Sequence, residues 1–253
     1  MKVFIASLFS ILLVFGNYSY AQKNVTVFAG VKPIDYRGSS IQLFYRDESP
    51  APDNFYTNID LDSKTAFNLG ASINNYSKTI TTYWDATVNL YLGKYFAVEG
   101  GASIGYPLFI TGDKNIALVP LITGGAGYYS KTLGTLENHT TWIQVNDTRF
   151  QDYANVDLSL SGLYGFVKPT IAFMFEVNPQ TQVMLSCGYL INVNINTEVN
   201  FKGPDQGGKE VTASEKLDVP NLAFFIDNNK TNDSPFKLNG FEVRIGVNFG
   251  LGR

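Results

Sequence analysis

The chain is poor in the residues that most enzyme and cofactor chemistry requires. Among its 253 residues there is one cysteine, Cys187, and one histidine, His139. A single thiol forms no intramolecular disulfide, and no His/Cys set has the spacing of a zinc site. Charge is scarce: Asp, Glu, Lys and Arg together make up 16% of the chain, against roughly 25% in an ordinary soluble domain. The balance is acidic, with a formal net charge of −3, the wrong sign for nucleic-acid binding. After the N-terminal stretch no run is apolar enough, over the ~20 residues needed, for a transmembrane helix. Gly100-Gly101 and Gly124-Gly125 sit within strand patterns and precede no helix, so no phosphate cradle is present. Asp47, Glu48 and Asp53 flank a proline-rich spacer and lack the calcium-loop pattern. No cofactor and no metal are expected.

Aromatics are plentiful, at 14% with 15 Tyr and 19 Phe. Such richness suits the interfacial girdles of a membrane barrel. The N-terminus is an export signal: Lys2, the apolar run Val3–Phe15, then the small-x-small site Ser19-Tyr20-Ala21 before Gln22. The expected division is a signal peptide over 1–21 and a β-barrel domain over 22–253.

The most telling stretch is Leu163–Ile195. Val167, Pro169, Ile171, Phe173, Phe175 and Val177 make one apolar stripe, opposite Lys168, Thr170, Ala172, Met174 and Glu176. Past Asn178-Pro179-Gln180 the stripe resumes as Val183, Leu185, Cys187, Tyr189, Ile191, Val193 and Ile195. Period-2 alternation of this length predicts two antiparallel strands joined by a tight turn. A tilted strand crossing a bilayer needs about 9–11 residues, with apolar side chains toward lipid and polar or small ones toward the lumen. Cys187 on this stripe reads as a small hydrophobic side chain.

The same alternation recurs along the chain and predicts strands over 24–33, 65–75, 81–92, 95–106, 115–129, 161–177, 181–195 and 238–251. Pro120 removes a ladder donor, so a bulge or break is expected within 115–129. The polar segments 35–63, 130–155 and 196–235 read as long extracellular loops, with both termini periplasmic. The tally is eight, with ten as the alternative because the tight Gly93–Tyr95 turn falls on the long-loop side. The expected fold class is therefore all-β: a single antiparallel up-and-down transmembrane barrel. Periodicity leaves open which face points inward. A secreted lipocalin-like barrel would place Phe173, Phe175, Leu185 and Ile245 inside.

The signal peptide ending Ala21-Gln22, the hairpin LYLGKYFAVEGGASIGY and the closing strand FEVRIGVNFGLGR resemble the small outer-membrane β-barrel proteins of Bacteroidota, a porin-like family. The resemblance spans the mature chain and departs at the end, where Phe249 is followed by Gly250-Leu251-Gly252-Arg253 in place of a terminal aromatic. It implies fold and location, the cell outer membrane, and no single activity.

The ionisable residues on the polar strand faces are Asp85, Glu99, Lys168, Glu176, Glu242 and Arg244. In an eight-stranded barrel, wide enough only for side chains, buried charges must pair. The set reads as a polar network that fills the lumen, or alternatively as the lining of a narrow solute channel. His139, with Asp147 and Asp152 further along its loop, reads as solvated rather than as a general base, and no catalytic residue is assigned. The loop aromatics Trp142, Phe150, Tyr153, Phe224 and Phe225 either bind an extracellular protein or glycan or pack over the barrel mouth. The expected function is a non-enzymatic, monomeric outer-membrane barrel in contact with lipid, with a structural or surface-interaction role through its loops and no nucleic-acid partner.

Overall fold

A computed structural model describes residues 23–33, 35–36, 38–46, 54–59, 65–93, 95–137, 143–217 and 219–251. The expected signal peptide, Asp47, Glu48, Asp53, His139 and Trp142 lie outside the described residues. Eight strands form the barrel: β1 (Asn24–Pro33), β2 (Thr65–Asn74), β3 (Tyr83–Leu92), β4 (Tyr95–Gly105), β5 (Ile116–Glu137), β6 (Asn155–Asn178), β7 (Thr181–Pro204) and β8 (Gly240–Gly250). Each is antiparallel to its neighbour in the chain, and β8 pairs with β1 from Asn24↔Gly250 to Val31↔Val243, which closes the sheet. The Gly93 turn joins β3 and β4 at the end where the long connections lie, and eight strands suffice for closure.

The alternation turns its apolar stripe outward. Val27, Leu69, Ile104, Ile122, Ile171, Phe173, Leu185 and Ile245 are exposed, while Lys168 and Glu242 on the opposite face are 3% and 2% exposed. A lipocalin-like barrel requires the reverse, and the structure overturns that alternative. The outward aromatics include the stacked pair Phe173–Phe175 and the edge-to-face pair Tyr189–Phe241. The lumen is narrow enough that glycine is needed where a large ring crosses it. A Cβ on Gly127 would stand 2.5 Å from the Tyr164 ring, and one on Gly70 would stand 2.5 Å from the Phe28 ring.

Three expectations require correction. First, β5 runs through Pro120 without a break. Its carbonyl accepts from Tyr106 N, on the side where the β4 ladder has just ended at Gly105↔Leu121. The donor that proline lacks would have returned a bond to Tyr106 on that same side, so the β4 ladder ends there while the pairing with β6 continues through Ile171↔Pro120. Second, 130–155 and 196–235 are not simply loops: β5, β6 and β7 reach 22, 24 and 24 residues and continue beyond the short strands. Third, the connections carry strands of their own. Glu210–Lys216 extends the tall wall beside β7. Asn54–Asn58, Ile41–Arg46, Leu222–Ile226 and Asn229–Thr231 form a separate four-stranded sheet.

That second sheet faces the tall wall across a shared apolar core. Ile41, Leu43, Tyr45, Leu222 and Phe224 on one side and Leu158, Leu160, Val199 and Phe201 on the other are all buried. The Tyr45 and Phe201 rings pack 4.7 Å apart, and Tyr45 OH donates to Gln144 O at 2.7 Å. Phe150 and Phe224 are buried within this core, Phe225 lies on the outer side of the sheet against Phe44, and Tyr153 is exposed. The loops thus build a β-sandwich over the barrel mouth.

Candidate functional site: a charged layer inside the barrel

Midway along the lumen, three strands bring four charged residues together. Lys168 of β6 donates to Glu242 of β8 at 2.9 Å and lies 3.7 Å from Glu99 of β4. Arg244, two residues along from Glu242 on the same face, donates to it at 2.6 Å. Glu242 also accepts from Asn68 Nδ2. Glu99 accepts from Tyr164 OH at 2.7 Å and from Asn89 Nδ2 at 3.4 Å. The Tyr91 hydroxyl stands 2.8 Å from Glu99 and 2.9 Å from Glu242. Its one proton serves two carboxylates. Burial of this depth is tolerated because each carboxylate has both a cation and several neutral donors.

Sequence reasoning missed Lys32, which is 2% exposed in the same layer with its ammonium 5.3 Å from the centroid of the Tyr91 ring. The layer then holds three cations, Lys32, Lys168 and Arg244, against two carboxylates. Lys32 continues the inward register of Thr26, Phe28 and Gly30 on β1, and following that register one more step would have found it. Tyr91, Tyr164, Asn68 and Asn89 are uncharged donors, which a search for ionisable residues passes over.

Asp85 and Glu176 stand apart. Asp85 accepts from Tyr83 OH, Thr87 Oγ1 and Ser103 Oγ at 2.7–2.9 Å. It is held by hydroxyls alone. Between it and the charged layer lies a cavity with about 40 Å³ open to water-sized molecules, lined by Asn89, Thr123, Lys168, Ser186 and Arg244 among others, enough for a few waters. Glu176 lies at the periplasmic rim, paired with Lys78 at 2.9 Å and partly exposed. It does not belong to the central layer. Beside it, burial first and the Glu176 charge second push the Tyr76 phenol up to about 12.

Apolar side chains pack inside the barrel on both sides of the charged layer. Toward the periplasm, Tyr76 and Ile80 of the turn after β2 pack with Tyr83, Val119, Ala172 and Met174. Toward the outside, Tyr95, Tyr129, Tyr164 and Leu133 merge into the core of the cap. Among the described residues no group of three or more His, Cys, Asp or Glu is placed to hold a metal ion. Asp152 is exposed and lies 3.7 Å from Arg149.

A closed antiparallel barrel with an apolar exterior and a charged interior is an outer-membrane β-barrel. No family model and no curated protein matches the sequence. Among solved structures the chain is similar to a major outer membrane protein from Thermus thermophilus, at 10% identity over 90% of this chain and 98% of that one, with a TM-score of 0.47. It is also similar to the outer membrane protease OmpT of Escherichia coli, at 9% identity over 90% and 97%, TM-score 0.34. An outer membrane channel from Pseudomonas putida matches at 9% identity over 92% and 98%, TM-score 0.24.

Proposed function

We propose that this protein is a closed, monomeric, non-enzymatic outer-membrane barrel that displays its extracellular β-sandwich as an interaction surface. The observation that carries this reading is the filling of the lumen at three successive levels: the periplasmic plug, the Glu99–Lys168–Glu242–Arg244 layer and the aromatic core continuous with the cap. A barrel that conducted solutes would need a continuous polar path. Here the cavity between the levels holds only a few waters. The cap supports the display role, because it has a buried apolar core of its own that fixes the sheet carrying its outer face.

The test is single-channel recording on the purified protein in planar bilayers. Insertion without steady conductance is the expected outcome, with insertion scored independently by heat-modifiable mobility. A stable ohmic conductance overturns closure and restores the narrow channel as the reading. Cleavage of peptides by the folded protein would overturn the non-enzymatic reading.

A further inference from the structure

The lipid-facing stripe is not the same height around the barrel. On β6 every outward position from Leu163 to Val177 is apolar or small, and on β7 the same holds from Val183 to Ile195. At ~3.3 Å per residue and a strand tilt of ~40°, these stripes are ~35 and ~30 Å tall along the barrel axis. Ile116–Tyr128 of β5 also gives ~30 Å by the same arithmetic. On the opposite wall the stripes are short. Phe67–Ile73 of β2 gives ~15 Å, and Val25–Pro33 of β1 and Trp84–Leu92 of β3 each give ~20 Å. Polar residues bound them: Lys23 and Thr82 below, Thr65 above.

The strand order places these two sets diametrically, β1–β3 facing β5–β7. A rigid tilt of the barrel raises or lowers a wall but does not change its length. Outer-membrane barrels ordinarily present an apolar band about 25 Å tall. One wall here exceeds that value and the other falls short of it.

We propose that the protein imposes a thickness gradient on its bilayer, and that the β1–β2–β3 wall is a contact surface for locally thinned lipid. A mismatch of several ångströms costs fractions of a kcal/mol per ångström. The cheaper response at the short wall is for lipid to thin, because the alternative immerses Lys23, Thr65 and Thr82 in hydrocarbon. At the tall wall lipid stretches to cover Leu163, Ile195 and Val177. This inference rests on the membrane-spanning reading and is independent of whether the lumen conducts.

The test is site-directed spin labelling of the full mature chain in vesicles of one phosphatidylcholine, after replacing the native cysteine by Cys187→Ser. Labels are placed through Thr65→Cys, Leu69→Cys and Thr82→Cys on the short wall, and through Leu163→Cys, Ile171→Cys and Val177→Cys on the tall one. Each label's accessibility to oxygen and to a water-soluble nickel chelate reports its depth, and heat-modifiable mobility confirms that each variant is folded. The expected result is headgroup depth at both Thr65 and Thr82 and hydrocarbon depth at Leu163 and Val177. Hydrocarbon depth at Thr65 or Thr82 overturns thinning. Aqueous depth at Leu163 or Val177 overturns the tall wall. Loss of both accessibilities at Leu69 shows a second copy on the short wall and overturns lipid as its occupant.

Discussion

Glu242 is the residue on which the interior most depends, because Lys168, Arg244, Asn68 and Tyr91 all converge on it. Glu242→Ala strands the buried Arg244 and leaves Lys168 only Glu99, 3.7 Å away, and is expected to cost about 3–5 kcal/mol. Urea unfolding in lipid vesicles, followed by tryptophan fluorescence, measures it. Lys168→Met should cost less, because Glu242 keeps Arg244 and Glu99 keeps Tyr91 and Tyr164. If the two substitutions cost the same, Glu242 is not the hub. A steric constraint of equal precision lies at Gly127, where an added Cβ would meet the Tyr164 ring. Gly127→Ala is expected to destabilise by about 1–3 kcal/mol through overpacking, and Gly165→Ala, with only one neighbour near 3.9 Å, should cost far less in the same assay.

At the scale of elements, the membrane-spanning parts of all eight strands were legible because one stripe repeats at period 2, and lipid rewards its continuity. The walls above the membrane were not. On β6 the outward face stays on odd positions throughout, but its apolar residues switch from Leu163 and Val167 to the inward Leu158 and Leu160 once lipid gives way to the cap core. A change of parity reads in sequence as the end of a strand. On β7 the apolar residues keep odd numbers through Val199 and Phe201, but the register shift between Leu163↔Asn196 and Tyr164↔Asn194 turns the strand over at Ile195. Deleting Ile195 is expected to remove the bulge and leave a regular ladder, with Asn196 following Asn194 and Val199 and Phe201 still facing the cap core. The barrel should remain heat-modifiable and the cap protease-resistant, and a protease-sensitive cap would refute this account of the bulge. The charged layer was legible only where its members ionise. Lys32 was lost because the β1 stripe was followed no further than Val31.

The cap has its own pH signature. Asp227 accepts from Ser40 N at 2.9 Å, Ser39 Oγ at 2.9 Å and Ser39 N at 3.0 Å. These bonds, the Ser40 amide foremost, hold its carboxyl below the ordinary carboxylate range. A lowered folded-state pKa means that the clamp is fully present above the unfolded value and is lost as pH falls through the lowered one. Hydrogen exchange should therefore show the Ser39 and Ser40 amides protected at neutral pH and released in acid, relative to their intrinsic rates. Asp227→Asn, which still accepts but does not titrate, should abolish that acid release.

For the whole molecule, the three proposed closures stand in series. A path across the barrel meets the cap core at Tyr45 and Phe201, the layer at Tyr91, Glu99 and Tyr164, and the plug at Met174 and Tyr83. Resistances in series are governed by the tightest, so opening one level leaves the current unchanged. Tyr45→Ala with Phe201→Ala should loosen the cap to protease and give no conductance. Tyr91→Ala with Tyr164→Ala should widen the central layer and still give none, because the plug is untouched. Adding Met174→Ala and Tyr76→Ala to the latter pair leaves the cap as the last barrier, and conductance is expected only when all three sets are combined. Conductance from the cap variant alone would mean that the lumen below it already conducts.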